Sequence, residues 1–149
     1  MKRLLLLLAL LLACVPFAAL AETAEDITID CVINNRTYNR HAPEDIRDGD
    51  YLSFYTGSSV TLKAPEGKEI GSVLLKWRTI SPPGVVVKVE QNGKWVEVLR
   101  DGPNYASQYL ALPEPAASVR VSAQKGKLEL CEITVLTPGE APDYVQIWR

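Results

Sequence analysis

The sequence predicts an all-β domain, a sandwich or jelly roll of about eight short antiparallel strands. Apolar and polar residues alternate over short runs, and turn residues separate these runs at regular spacing. No segment keeps a helical period for longer than one turn. The clearest hairpin has Val85, Val87 and Val89 in alternation before Asn92-Gly93, because Asn-Gly after such a run is the strongest short-range hairpin signal.

Further strands follow from the same alternation. Residues Ile27 to Ile33 are predicted as a half-buried strand that carries a cysteine, and a short strand is predicted from Tyr51 to Tyr55. Val73, Leu75 and Trp77 share one face of a later strand. We interpret Trp77 and Trp95 as core residues, because both lie on alternating strands.

The first 21 of the 149 residues have the pattern of a secretory signal peptide. A basic start, Met1 to Arg3, precedes the apolar run Leu4 to Leu12 and the small-x-small signal Ala19 to Ala21. Nine apolar residues are too few to cross roughly 30 Å of hydrocarbon. The competing interpretation is lipidation at Cys14, although Val15 to Phe17 is too apolar for a tether. We expect a secreted or extracytoplasmic protein, with association to the cell envelope left open.

Removal of residues 1–21 from 149 leaves 128 residues, with 14 basic and 18 acidic side chains. An acidic domain without a basic stripe is a poor nucleic-acid binder, since that affinity depends on neutralising phosphates. The mature chain also lacks an apolar segment long enough to span a membrane. We divide it into a β-sandwich domain at 22–136 and a linker or tail at 137–149.

Two cysteines remain in the mature chain, Cys31 and Cys131, near the two ends of the domain. An even pair in an exported chain predicts a disulfide. A bridge over a loop this long would stabilise the fold by roughly 4–5 kcal/mol in the chain-entropy model. It would also place the first and last strands side by side. Two free thiols, or a metal held by two sulfurs, are the less favoured alternatives.

Catalysis has little support in the sequence. There is no Gly-x-Ser-x-Gly motif around a nucleophile, and no His and Cys cluster has zinc spacing. The many carboxylates include no pair that stands out as an acid and base. We therefore expect a protein that is not an enzyme and keep a small hydrolase as the least favoured alternative.

The motif Asp48-Gly49-Asp50-Tyr51-Leu52-Ser53-Phe54-Tyr55 resembles the early motif of the discoidin family. This family, also called the coagulation factor five/eight type C domain, includes the family 32 carbohydrate-binding modules and has a galactose-binding-like jelly roll. It has Thr and Trp where this chain has Ser53 and Tyr55. Many members join the two ends of the domain by a disulfide. Four further segments resemble its later strands in order and spacing: Val73 to Arg78, Val85 to Glu97, Ser118 to Ser122 with Arg120, and Leu128 to Leu136 with Glu132.

The resemblance implies a structural calcium ion. Its ligands, carried over by position, would be Asp48, Asp50, Ser53 and Glu132, completed by backbone carbonyls. Hard oxygen ligands and a glycine that sharpens the turn suit calcium chemically. The alternative is a solvated Asp-Gly-Asp turn beside an exposed glutamate.

The resemblance also implies carbohydrate binding by loops at one end of the sandwich. Sugars need an aromatic platform for their CH faces and directional donors for their hydroxyls. Three loops, residues 34–41, 78–81 and 104–108, offer both kinds of group. The candidate ligand-binding residues are Arg36, Tyr38, Arg40, His41, Arg78, Asn104 and Tyr105.

The end of the chain, Ala141 to Trp148, resembles the junction between a discoidin-like domain and a PIG-L-type zinc deacetylase, whose own motif is absent here. The sequence thus predicts a secreted non-catalytic module that recognises a cell-wall or other glycan, with a fused or associated enzyme as a possible partner. The alternative is a structural or protein-interaction domain whose terminal Tyr144 to Trp148 docks on a neighbouring domain.

Overall fold

The computed structural model describes residues 22–34, 42–100 and 106–146. Within them lie nine strands, two 3-10 helices (Thr28–Asp30 and Pro43–Arg47) and one short helix, α1 (Asp143–Gln146). The predicted signal peptide and the lipidation alternative at Cys14 lie outside the described residues. The strands are β1 (Val32–Asn34), β2 (Tyr55–Gly57), β3 (Ser59–Lys63), β4 (Ile70–Trp77), β5 (Val85–Gln91), β6 (Lys94–Arg100), β7 (Ser107–Ala116), β8 (Ser118–Ala123) and β9 (Leu128–Leu136).

The strands form two antiparallel sheets packed face to face. The five-stranded sheet has the order β1-β3-β8-β5-β6, and the four-stranded sheet has the order β2-β9-β4-β7. Inward-facing residues of both sheets, among them Val60, Leu75, Val87, Val121 and Ile133, form the main core. The β-sandwich expected from the alternating pattern is confirmed.

The Asn92-Gly93 hairpin joins β5 to β6 as predicted. Asn92 has φ 50° and Gly93 has φ 71°, so both central residues are left-handed, as a type I′ turn requires. The register pairs Glu90 with Trp95 and Gln91 with Lys94. The turn therefore fixes which side chains of β6 lie beside those of β5.

The prediction of one continuous strand from Ile27 to Ile33 is wrong. The carboxylate of Asp26 accepts hydrogen bonds from the backbone N–H of Thr28 at 3.0 Å and from its hydroxyl at 2.5 Å. Such local bonds compete with a strand ladder, and a 3-10 turn follows. Only β1 remains a strand, and it pairs with β3 in the five-stranded sheet.

The predicted disulfide is absent, since Cys31 and Cys131 are both buried free thiols. Cys31 belongs to the core between the sheets. Cys131 is the extra residue of a β-bulge, because Lys76 pairs with Glu132 while Trp77 pairs with Leu130. There it lines an outer concavity instead. The first and last strands also lie in different sheets, so they are not paired side by side as the disulfide would have placed them.

The two tryptophans of the predicted core have different surroundings. Trp77 is buried, and its indole N–H donates to Oε1 of Gln108 at 2.8 Å. The interpretation of Trp95 as core is wrong, since its side chain is 38% exposed and stacks against Arg120. β6 is an edge strand, and alternation along an edge strand does not show which face is covered.

The described part of the C-terminal tail packs on the outside of the four-stranded sheet. Ala141 and Val145 are buried against Leu74 of β4 and Leu136 of β9. Backbone hydrogen bonds also connect residue 140 to residues 22 and 24, and residue 137 to residue 25. A side chain at Gly71 would meet the backbone of the tail, because an added Cβ would lie 2.4 Å from the Cα of Pro138. The two ends of the described chain therefore cover one outer sheet face together.

Candidate functional site

For each of the three candidate loops, the strand registers place at least one flanking strand end at the same end of the sandwich. In the four-stranded sheet, Lys76 near the end of β4 pairs with Ser107 at the start of β7. In the five-stranded sheet, Asn34 at the end of β1 pairs with Thr61 near the start of β3. A connection of seven residues joins the end of β4 to the start of β5 in the five-stranded sheet. These strand ends therefore lie at the same end of the sandwich.

Arg78, directly after β4, is the one predicted sugar ligand among the described residues. Its guanidinium lies 4.2 Å from the centre of the Phe54 ring, and its Nη1 lies 3.6 Å from Oε2 of Glu129. Both contacts leave the side chain half exposed. The other six candidates lie outside the described residues: Arg36, Tyr38, Arg40, His41, Asn104 and Tyr105.

A concavity of about 380 Å³ opens beside Arg78. Tyr51 and Lys76 line it together, with the Nζ of Lys76 donating to the Tyr51 hydroxyl at 2.6 Å and lying 4.5 Å from the ring centre. Trp77, Ala106, Ser107 and Cys131 complete the lining. Tyr51 and Lys76 were not among the residues predicted from the sequence. The signal was the period-2 pattern of β4, since Lys76 lies between the inward-facing Leu75 and Trp77.

The loop after the second 3-10 helix gathers acidic groups against β9. The backbone N–H of Gly49 donates to Oε1 of Glu132 at 2.8 Å. The hydroxyl of Ser53 donates to Oδ2 of Asp48 at 2.8 Å and approaches the carbonyl oxygens of Asp50 and Asp45 at 2.9 and 3.4 Å. Three of the four predicted calcium ligands, Asp48, Ser53 and Glu132, therefore come together.

The carboxyl group of Asp50 does not join them in this structure. Its Oδ1 accepts the backbone N–H of Leu52 at 2.9 Å, which closes a local turn. This turn also explains why the predicted strand from Tyr51 to Tyr55 is wrong, since Tyr51 is 60% and Leu52 is 89% exposed in the turn. Only Tyr55 of that segment belongs to a strand. Asp50 contributes its backbone carbonyl oxygen to this cluster instead, by accepting a hydrogen bond from Ser53.

Glu132 and Asp48 differ strongly in acidity. Burial, followed by the charge of Asp48, raises the pKa of Glu132 to about 7. The backbone N–H of Asp50 and the hydroxyl of Ser53 lower the pKa of Asp48. The neighbouring Glu132 also lowers the pKa of Asp48, and Asp48 in turn raises the pKa of Glu132. Without a cation, Glu132 therefore holds its proton at mildly acidic pH and loses it around pH 7.

The described residues contain no group of three or more His, Cys, Asp or Glu side chains placed to hold a metal ion. What they offer is two carboxylates, one hydroxyl and two carbonyl oxygens around Asp48. This all-oxygen donor set fits calcium in chemistry, since calcium combines carboxylate ligands with neutral oxygens and water.

No family model matches the chain. No curated protein matches it either.

Solved structures, in contrast, match the sandwich. One is the family 32 carbohydrate-binding module of Clostridium perfringens NanJ in complex with galactose, with a TM-score of 0.61 and 12% identity over 76% of this chain and 98% of that one. Another is the family 32 module of AlyQ in complex with 4,5-unsaturated mannuronic acid, with a TM-score of 0.58 and 13% identity over 76% and 98% of the two chains. The chain has the fold of a family 32 carbohydrate-binding module.

A third match places this family 32 fold within a much longer chain. A family 89 glycoside hydrolase from Clostridium perfringens matches with a TM-score of 0.62 and 10% identity, over 79% of this chain and 15% of the hydrolase. The discoidin-like resemblance expected from the motifs is thus confirmed at the level of the fold. In the described part of the chain, no helix has the length and apolar character to cross a membrane.

Proposed function

We propose that the protein is an exported, non-catalytic module that binds carbohydrate through loops at one end of its sandwich. The single observation that carries this proposal is the concavity beside Arg78. It combines the aromatic ring of Tyr51 with the cationic groups of Lys76 and Arg78, and strand ends that flank the loops with the remaining predicted ligands lie at the same end of the sandwich. Ring faces and directional donors together are what sugar recognition needs.

The structural neighbours support the same class of ligand. Modules with this fold bind galactose in one structure and an unsaturated mannuronic acid in another. The fold also occurs as a small part of a glycoside hydrolase chain. We therefore propose that the module acts beside a fused or associated enzyme and brings it to its glycan.

We further propose a structural calcium ion at the acidic loop. Asp48, Glu132 and Ser53 would hold it with the carbonyl oxygens of Asp45 and Asp50. A bound cation supplies positive charge that offsets the repulsion between the two carboxylates and fixes the loop against β9. Because Tyr51 lies within this loop, calcium would also help to order one side of the concavity.

A glycan array with the purified protein, in calcium and in a chelator, tests the carbohydrate proposal. We expect binding to a defined set of glycans and a loss of about tenfold in affinity for Arg78→Ala, since hydrogen bonds from a charged group are strong. Lys94→Ala is the matched control, because Lys94 is an exposed cation at the opposite end of the sandwich. Silence on every glycan by a folded protein would overturn the proposal, as would equal binding by Arg78→Ala.

Export is tested separately by determining the N-terminal residue of the protein recovered from the producing cells. Cleavage after Ala21 gives a chain that starts at Glu22. A lipid-modified Cys14 as the first residue would support the lipoprotein alternative instead. A full-length chain retained in the cytoplasm would overturn both.

A further inference from the structure

A second concavity lies on a different face of the molecule, the outer face of the five-stranded sheet. Its volume is about 470 Å³, within the roughly 300–1,000 Å³ typical of small-ligand sites. It shares no lining residue with the concavity beside Arg78. The side chains used below come from four neighbouring strands: Thr61, Lys63, Glu90, Trp95, Ser118 and Arg120.

The sheet register sets these side chains in two adjacent rows. Lys63 pairs with Ser118, Ser118 with Glu90, and Glu90 with Trp95, which forms one row across β3, β8, β5 and β6. Thr61 pairs with Arg120 in the next row on the same face. Since residues two apart on a strand share a face, all six side chains point away from the core.

The aromatic and cationic groups are held in place. The guanidinium of Arg120 lies 4.2 Å from the centre of the Trp95 ring, and its Nε donates to Oγ1 of Thr61 at 3.0 Å. The hydroxyl of Ser118 donates to Oε2 of Glu90 at 2.8 Å. Because these contacts fix the side chains before any ligand arrives, little conformational entropy is lost on binding.

The charge of this face differs from that of the whole protein. The concavity contains two cations, Lys63 and Arg120, against the single carboxylate of Glu90. Among the residues that the structure describes, neither cation forms an ion pair. A local positive excess on a protein with a net charge of −2 favours an anionic ligand.

We propose that this face is a second binding site, specific for carbohydrate that carries an anionic group. The sugar ring would lie against the exposed part of Trp95. Its carboxylate or sulfate would bind the terminal nitrogens of Arg120 and the ammonium of Lys63. Its hydroxyls would bond to Glu90, Thr61 and Asn34, which also lines the concavity. A stacking surface next to a planar guanidinium fork suits an acidic sugar better than a neutral one.

Calorimetry with three oligosaccharides of equal length tests the proposal: an oligogalacturonate, a sulfated oligogalactan and a neutral oligogalactan. We expect both acidic ligands, or one of them, to bind at least about tenfold more tightly than the neutral one, with an affinity that falls as salt rises. The preference between the two identifies carboxylate or sulfate as the recognised group. Equal affinity for the neutral oligosaccharide would overturn the proposal.

Substitutions then locate the binding. Trp95→Ala and Arg120→Gln should each weaken binding of the acidic ligand by about tenfold, while Trp95→Phe should retain affinity within about threefold because it keeps a stacking face. Lys94→Gln is the matched control, since it removes an exposed cation beside Trp95 that does not line the concavity. Circular dichroism checks that each variant is folded.

Failure of this proposal can be separated from failure of the loop site by the indole N–H signal of Trp95 in a nuclear magnetic resonance titration. The acidic ligand should shift this signal in both the natural protein and Arg78→Ala. Acidic-ligand binding that leaves the Trp95 signal unmoved, or that survives Trp95→Ala and Arg120→Gln unchanged, would overturn the second site and leave the loop-end proposal standing.

Discussion

The carboxyl group of Glu132 accepts a hydrogen bond at 2.8 Å from the backbone N–H of Gly49, a residue 83 positions earlier in the chain. This bond ties the last strand to the acidic loop. It also holds the buried Glu132 beside the exposed carboxylate of Asp48. Burial of Glu132 and the charge of Asp48 raise its pKa to about 7, although the Gly49 hydrogen bond itself lowers it.

This pKa predicts how stability depends on pH without calcium. The folded protein binds the Glu132 proton more tightly than the unfolded chain, whose glutamates titrate near 4.5. The contribution of Glu132 to the free energy of unfolding is therefore fully present below about pH 4.5 and is lost as pH rises through about 7, with a size on the order of 3 kcal/mol. Glu132→Gln resembles the protonated form and should remove this decline.

Urea unfolding in a chelator, from pH 4.5 to 8, measures the effect as the difference between the natural protein and Glu132→Gln. Other titrating groups are common to both proteins and cancel. Parallel pH profiles for the two proteins would contradict the prediction.

Calcium should oppose this loss of stability with rising pH. An ion at 100 times its dissociation constant would raise the free energy of unfolding by about 2.7 kcal/mol. The gain should grow from pH 5 to pH 7.5, because a proton on Glu132 competes with the ion. Asp48→Asn and Glu132→Gln should abolish the gain, measured by thermal unfolding with and without calcium.

The matched control is Asp50→Asn. The carboxyl group of Asp50 faces the backbone N–H of Leu52, and an asparagine oxygen can accept the same hydrogen bond. This variant should therefore keep most of the calcium effect. A loss as large as that of Asp48→Asn would show that the Asp50 carboxylate itself binds the ion.

The two buried thiols should remain reduced and slow to react. Burial raises the pKa of Cys31 to about 11, so only about one thiol in a thousand is ionised at pH 8. Burial, followed by the charge of Glu132, also raises the pKa of Cys131. Iodoacetamide should modify neither residue in the folded protein at pH 8 and both in denaturant.

Peptide mapping by mass spectrometry identifies the modified positions. A peptide pair linked through Cys31 and Cys131 in the protein purified without reductant would contradict the free thiols. Fast alkylation of Cys131 alone would instead show that the concavity beside Arg78 opens to reagents.

The sequence predicted the strands with a buried alternating face. The strand of Val73, Leu75 and Trp77 and the Asn92-Gly93 hairpin were found where the period of two indicated them. It failed at Asp26, whose side chain bonds to the next residues, and at Trp95 on an edge strand. In both places the outcome depends on local side-chain bonds or on which face is covered, and periodicity reports neither.

In the candidate site too, some residues could be predicted from the sequence and others could not. Asp48, Ser53 and Glu132 could be predicted because a motif carries them, even though Glu132 lies 79 positions after Ser53 in the chain. The outward position of Lys76 could be predicted from the period of β4, but its contact with Tyr51 could not, because that contact joins a loop to a strand through tertiary packing alone. Arg78 was predicted, but its stacking on Phe54 was not.

The final prediction concerns the tail, which behaves as part of the packed fold in the described residues. Val145 is fully buried against Leu74 and Leu136, so Val145→Asp would place a charge among apolar side chains. We expect a loss of more than about 2 kcal/mol in the free energy of unfolding. Tyr144→Ala is the neighbouring control, since Tyr144 is 53% exposed and should cost less than about 1 kcal/mol. Urea unfolding measures both, and an unchanged midpoint for Val145→Asp would mean that the tail leaves the sheet in solution.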